Sequence, residues 1–189
     1  MNNFAKIVSG FSKKSIMVIG DIMLDRYIQG SVTRISPEAP VPIVLEDRSF
    51  YLPGGASNVA NNLKSLGVKV SQIGRIGNDL EGGLLKRELK RKGIDISGVF
   101  IDNKAPTITK TRVIAQQQQI VRIDRERTAQ KPDQKLLEKI FSMIESEIDL
   151  YDAVIISDYG KGIVTPDLVS FVCSLSLKKG KIITVDPKV

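Results

Sequence analysis

Three short runs are apolar at nearly every position rather than at every second one: Ser15-Ile16-Met17-Val18-Ile19, Ala153-Val154-Ile155-Ile156-Ser157 and Lys181-Ile182-Ile183-Thr184-Val185. A strand built this way has no face to turn to water. It belongs inside a parallel sheet covered on both sides. Between these runs the spacing becomes helical. Ala56 to Leu66 places Val59, Ala60, Leu63 and Leu66 on one side, and Leu136 to Ile148 does the same with Leu137, Ile140, Met143, Ile144 and Ile148. Asp79 to Lys92 predicts a helix with Asp79 as N-cap, Leu80, Leu84, Leu85 and Leu89 inward, and Gly93 as terminator. Lys69 to Ile76 is a further strand, and Thr165-Pro166-Asp167 opens the helix before the last one. This alternation of periods specifies an α/β fold with a mostly parallel central sheet flanked by helices. The strand Lys181–Val185 is expected at or beside an open edge of that sheet, with apolar side chains on both faces.

Two stretches break the rhythm. Arg26 to Glu46 is extended and Pro-rich, and Thr107 to Asp124 alternates like a hairpin with Gln116 to Gln118 at the bend. Alternation with one polar face fits a half-exposed sheet, so both are assigned to a second, small sheet apart from the first. The chain, residues 1–189, then reads as one domain with segments of about 26–46 and 107–124 inserted.

Composition removes several classes of activity. The chain has no histidine, so His-based triads, His metal sites and a His general base are excluded. Its one cysteine, Cys173, cannot form an internal disulfide and is expected to be buried and inert in a helix. No apolar run approaches the roughly 18 residues of a membrane span, and Ile16 to Leu24 is broken by Asp21 with no small-residue cleavage site after it. The expectation is a cytoplasmic protein with no membrane partner. Net charge is +7, with 28 Lys and Arg against 21 Asp and Glu. The basic residues are scattered and aromatics are sparse, which argues against nucleic acid. A positive field also suits an anionic small molecule.

Candidate site residues cluster where strands end, the place where open α/β sheets bind ligands. Pro53-Gly54-Gly55-Ala56-Ser57-Asn58-Val59-Ala60 runs from an extended segment into a helix. Gly54 and Gly55 let the backbone approach a ligand closely, and Asn58 offers donors and an acceptor on the first helical turn. The spacing fits neither a P-loop nor a dinucleotide turn. Asp21 and Asp25 follow the first strand, and each is suited to sugar hydroxyls or, alternatively, to a turn or cap. Lys110 and Arg112 share a facing in the second sheet, and Arg34 lies on its other segment. They suit a phosphate, or are surface charges on a half-exposed sheet. Asp158-Tyr159-Gly160-Lys161-Gly162 follows a strand, with Asp158 apt for hydroxyls and Lys161 for phosphate, or it is a Gly-rich connector. Asp186 and Lys188 sit at the equivalent place one strand later.

Gly54-Gly55-Ala56-x-Asn58-x-Ala60, continued by Gly67 and Gly77, resembles the first signature of the ribokinase-like (PfkB) carbohydrate kinases, with seven fixed positions filled over 24 residues. Gly20-Asp21-Ile22-Met23-Leu24-Asp25-Arg26-Tyr27, Arg34-Ile35-Ser36-Pro37-Glu38-Ala39-Pro40-Val41-Pro42, Thr109-Lys110-Thr111-Arg112, Ser157-Asp158-Tyr159-Gly160-Lys161-Gly162 and Val185-Asp186-Pro187-Lys188 look like the branch that phosphorylates D-glycero-β-D-manno-heptose 7-phosphate at O1, a step toward nucleotide-activated heptose for lipopolysaccharide. The resemblance runs over essentially all 189 residues. It implies a ribokinase-like fold with a small β lid, ATP and Mg2+ as cofactors, sugar contacts at Asp25 and Asn58 with Asp21, Gly54 and Gly55 beside them, phosphate contacts at Arg34, Lys110, Arg112 and Lys161, Asp158 on sugar hydroxyls, Asp186 and Lys188 toward the nucleotide, and a homodimer through the lid. The family's Gly-Ala-Gly-Asp motif, which carries the catalytic base and an anion hole, is not found, and the 189 residues stop before the place in the family's C-terminal half where that motif and an Asn-x-x-Glu motif lie. The expectation is therefore the substrate-and-lid half of such a kinase, inactive alone. The alternatives are another sugar or nucleoside kinase of this family, or a non-catalytic sugar-binding or dimerising module.

Overall fold

The computed structural model of the protein describes residues 3–127 and 131–188. After a short helix α1 (Asn3–Ser9), the strands β1 (Ser15–Gly20), β4 (Lys69–Gly77), β5 (Val99–Asp102), β8 (Ala153–Ser157) and β9 (Ile182–Asp186) form the central sheet. Its order is β5-β4-β1-β8-β9 and every neighbouring pair is parallel. The helices α2 (Ala56–Ser65) and α3 (Leu80–Arg91) cover one face, and α4 (Gln134–Glu147) and α5 (Pro166–Lys178) the other. β1 explains why its run is apolar throughout: Met17 and Ile19 enter the core with α4 and α5, while Val18 and Ile16 enter the core with α2 and α3.

The second sheet is separate, as expected, with order β3-β2-β6-β7. The extended segment expected at 26–46 is in fact two long antiparallel strands, β2 (Ile22–Ile35) and β3 (Pro42–Gly55). The Gly54-Gly55 pair is thus the last rung of this second sheet. β6 (Thr109–Ala115) pairs in parallel with β2, and β7 (Gln118–Arg125) returns antiparallel to β6. The turn between them puts Gln116 and Gln117 at φ 51° and 65°, the two left-handed positions of a tight hairpin.

Several details differ from the sequence expectation, each for a packing reason. Leu80 is 73% exposed because it opens α3 ahead of the turn that meets the sheet; Leu85 and Leu89 carry the burial. Leu66 lies past the end of α2 and is exposed. In α4 it is Leu136 rather than Leu137 that is buried, with Ile140 and Ile144. Cys173 is only half-buried. β9 is an edge strand, as expected, but its Ile182 and Val185 are exposed, so only Ile183 packs against the core. β5 is too short to carry a period, so the sequence gives no strand signal there.

Asp152 clips the start of β1 to that of β8. Its carboxylate accepts from Lys14 Nζ and from the Ser15 N–H, both at 2.8 Å, and from the Ser15 hydroxyl at 3.2 Å. The Lys14 hydrogen bond, then the Ser15 N–H, lower its pKa from 3.8 to about 2. The folded state therefore holds this proton less tightly than the unfolded chain. The stability that Asp152 contributes is complete above pH 3.8 and is lost as pH falls toward about 2. Asp152→Asn is expected to flatten the loss of stability across that window in denaturation curves taken at stepped pH. A slope equal to that of the unsubstituted protein would place the acid sensitivity elsewhere.

Candidate functional site

The site is built on the residue that follows β1. Asp21 is 2% exposed. Its N–H donates to the Ser157 carbonyl at 3.3 Å, and its own carbonyl accepts from the Ala56 N–H, the first residue of α2, at 3.0 Å. Its carboxylate accepts from the N–H groups of Tyr159 and Lys161, each at 3.0 Å, and of Ile163 at 3.2 Å. Burial pushes its pKa up; the Lys161, Tyr159 and Ile163 N–H groups oppose that, the nearby Asp158 carboxylate adds to it, and the net shift is upward. Asp21 was expected beside the sugar. The structure instead commits its carboxylate to three backbone donors, out of reach of solvent, so it shapes the 158–163 loop from below.

Asp25, in β2, is the open carboxylate. Arg112 Nη1 donates to its Oδ1 at 2.7 Å. A Cβ on Gly54 would lie 2.6 Å from Asp25 Oδ2, so glycine there lets the carboxylate sit flat against β3. Gly55 has φ 57° and is the N-cap residue of α2. A Cβ there would meet the Asp21 carbonyl at 2.4 Å. Asn58 is exposed on the first turn of the helix. The Arg112 guanidinium lies over the Tyr27 ring, 5.3 Å from its centroid, and Tyr27 stacks on Phe50 at 5.0 Å. Burial lowers the Arg112 pKa, but the hydrogen bond and charge of Asp25 outweigh it and the net shift is upward.

Lys110, in β6 of the second sheet, and Lys161, in the loop after β8, converge. Lys110 Nζ is 3.0 Å from Asp124 Oδ2 and 3.7 Å from Glu126 Oε2. Lys161 Nζ donates to Glu126 Oε1 at 2.7 Å. The Lys161 carbonyl accepts from Arg75 Nη2 at 3.2 Å, and Arg75 pairs with Asp102 at 2.5 Å in the interior. Asp158 accepts from the Gly160 N–H at 2.7 Å, and its own N–H donates to the Asp186 carbonyl. Asp186 and Lys188 are exposed, with the Lys188 stem against Gly160.

The structure thus brings together Asp25, Gly54, Gly55, Lys110, Arg112 and Lys161, with Asn58, Asp158, Asp186 and Lys188 at the rim. It does not bring Arg34 there. Arg34 is exposed, nine positions along β2 from Asp25, a separation of about 30 Å at the usual rise of a strand. Lys110 and Arg112, read as phosphate contacts or surface charges, are each paired with a carboxylate. Sequence reasoning missed three groups. Asp79, besides capping α3, accepts from the Thr107 N–H at 2.9 Å and from its hydroxyl at 2.6 Å, tying the second sheet to the first. The Arg75–Asp102 pair carried no signal. Glu126 did, in the sign-alternating run Asp124-Arg125-Glu126-Arg127 that closes β7.

A model of the pfkB family carbohydrate kinases matches residues 13–165. The bifunctional protein HldE of Helicobacter pylori (strain J99) is 45% identical over 175 residues, covering 93% of this chain and 38% of that protein. The bifunctional protein HldE of Desulfatibacillum aliphaticivorans is 42% identical over 181 residues, 96% of this chain and 37% of its own length. The chain thus spans less than two fifths of the length of these curated relatives. Among solved structures, a carbohydrate kinase from Agrobacterium tumefaciens aligns with TM-score 0.67 and 18% identity, over 91% of this chain and 53% of that one. Arabidopsis thaliana ribokinase, complexed with ribose and ATP, aligns at 0.63 and 18%, over 92% and 53%. These likenesses establish the fold.

Asp21→Asn puts an amide NH2 where one of the oxygens now accepts backbone N–H groups. A hydrogen bond to a charged group contributes about 1.5–3 kcal/mol, so a loss of that order is expected in denaturant unfolding. Hydrogen exchange should quicken at the Tyr159, Lys161 and Ile163 amides ahead of the rest of the sheet. Unchanged exchange at those three would remove Asp21 from its place under the loop.

Proposed function

The chain belongs to the pfkB family of carbohydrate kinases, and from that premise we propose that it forms the acceptor-binding part of an ATP-dependent kinase acting on a sugar phosphate, D-glycero-β-D-manno-heptose 7-phosphate. The observation that carries this reading is the Asp25–Arg112 pair seated on Gly54, with Lys110 and Lys161 alongside. A carboxylate held by one oxygen keeps acceptor capacity for sugar hydroxyls. Gly54 and Gly55 leave room for the ring, Asn58 adds donors at the rim, and Lys110, Arg112 and Lys161 supply positive charge for a phosphate. Such transfers depend mainly on positioning and electrostatics, and this chain's residues do the positioning. ATP would supply the phosphoryl group. Among the described residues no group of three or more His, Cys, Asp or Glu side chains is placed to hold a metal ion, so no step is assigned here through Mg2+. Asp186 and Lys188 remain the candidates for the nucleotide side.

Asp25→Ala is expected to weaken binding of heptose 7-phosphate roughly 10- to 100-fold, the equivalent of one charged hydrogen bond, with little change in melting temperature. Titration calorimetry alongside a thermal melt separates the cases. A lower melting temperature with unchanged affinity would make Asp25 structural. Absence of heptose 7-phosphate binding by the unsubstituted protein would defeat the substrate assignment.

The second sheet is also proposed as the place where two copies meet. Every residue of β7 is exposed, Val121 at 47% and Ile123 at 56%, and β7 is a free edge. Uncovered edges of this kind invite pairing, and a two-fold contact is the commonest closure. Light scattering should give a dimer that Val121→Lys with Ile123→Lys dissociates; a monomer at the outset refutes it.

A further inference from the structure

We propose that Glu126 is a built-in stand-in for a phosphate group, holding Lys110 and Lys161 as a two-ammonium anion site that the phosphate of the substrate takes over. The inference rests on the sugar-phosphate reading above. It starts from convergence. Two ammonium groups, one from the second sheet and one from the loop after β8, 14% and 15% exposed, meet at one carboxylate. Neither residue's backbone depends on that carboxylate for its place. Lys110 has a second partner in Asp124. The Lys161 backbone is held on both sides, its N–H by Asp21 and its carbonyl by Arg75. The pair would keep its position if Glu126 left.

Glu126 is the least satisfied member of the group. Its Oε2 is buried without a hydrogen bond, since Lys110 Nζ stands at 3.7 Å. A buried acceptor in that state is costly. A phosphate offers more acceptor sites than a carboxylate oxygen, and each ammonium has three donors to give. The neighbours of Glu126 are fastened. Arg125 pairs with Asp79 and Glu81, and Arg127 Nη1 donates to the Lys104 carbonyl. Displacement therefore needs a turn of the Glu126 side chain, not of the strand.

Charge supplies the selectivity. Lys110, Arg112, Lys161 and Arg122, which shares Asp124 with Lys110, face Asp25, Asp124 and Glu126, so with Glu126 in place all but one of the cluster's positive charges are answered. A neutral sugar can bind without disturbing it. An anion must move Glu126 aside, and in return it gains two prepared ammonium groups.

The test is titration calorimetry with three probes: inorganic phosphate, the neutral heptose and heptose 7-phosphate. Glu126→Gln removes the competing charge. It should tighten inorganic phosphate and heptose 7-phosphate by about tenfold or more, well within what one charge a few ångströms away exerts at a half-buried site. The affinity for the neutral heptose should stay the same. Lys161→Met should abolish the inorganic phosphate signal. If Glu126→Gln does not fold, Glu126→Ala gives the same readout. Unchanged or weaker phosphate binding in the folded variant overturns the proposal, and weaker binding of the neutral heptose overturns it by making Glu126 a sugar contact. The two readings fail separately. A protein that ignores both heptoses, yet binds inorganic phosphate more tightly once Glu126 is neutral, keeps the anion site and loses the substrate. One that binds heptose 7-phosphate but is indifferent to Glu126→Gln keeps the substrate and loses the stand-in.

Discussion

At the end of β1 one residue joins four parts of the chain. Asp21 takes the Ser157 carbonyl on its own N–H, receives the Ala56 N–H on its carbonyl, and receives three loop N–H groups on its carboxylate. The next residue starts β2, so the same position also launches the second sheet. A carboxylate taken out of water is expensive unless its lone pairs are filled. Here they are filled by a loop that has no regular partner of its own, which spares that loop unpaired donors. Burial of the charge and order in the loop are one arrangement. The loop's Lys161 owes its direction to it.

The site above this joint is paired rather than openly basic, with four cations against three carboxylates, Arg122 sharing Asp124 with Lys110. Arg112 answers Asp25, Lys110 answers Asp124, and Lys161 answers Glu126. Paired in this way the side chains are held in defined positions, which reduces what a ligand must spend on ordering them. Tyr27 and Phe50 add an apolar backing for Arg112, so its guanidinium is fixed by a ring below and a carboxylate beside it. Preorganised polar groups of this kind can discriminate strongly, because a ligand that fails to replace a displaced partner leaves a buried group unpaired.

Much of this was legible in the sequence because its physics is local. The apolar runs of β1 and β8 announced parallel strands, the Thr165-Pro166-Asp167 and Asp79 starts announced helices, and the Gly54-Gly55 pair announced a close backbone approach. What stayed hidden depends on register and on neighbours. Whether Asp21 or Asp25 faces the cleft is decided by which backbone N–H groups lie nearby, and those come from a loop some 140 residues later. Arg34 looked equivalent to Lys110 and Arg112 because all three are basic residues on extended segments. Only the pairing of β2 with β3 puts Arg34 at the far end of the sheet. β9 lies at the expected edge of the central sheet, but its residues alone do not tell that Ile183 packs inward while Ile182 and Val185 face water.

The parallel pairing of β2 with β6 has a kinetic side. β3, α2, β4, α3 and β5 all lie between these two partners in the chain. Asp25 and Arg112 are 87 residues apart. Closing so long a loop costs entropy before its contacts return anything. During synthesis β2 and β3 can form their hairpin early, while β6 reaches them only after half the central sheet has been made. In that interval the edge of β2 that will receive β6 stands open, with Tyr27 and Ile28 beside it, and is available to any other extended chain. The residues that gather the site are thus among the last to meet as the protein emerges. A chaperone or a fast collapse of β1, β4 and α2 would protect the molecule most during that interval.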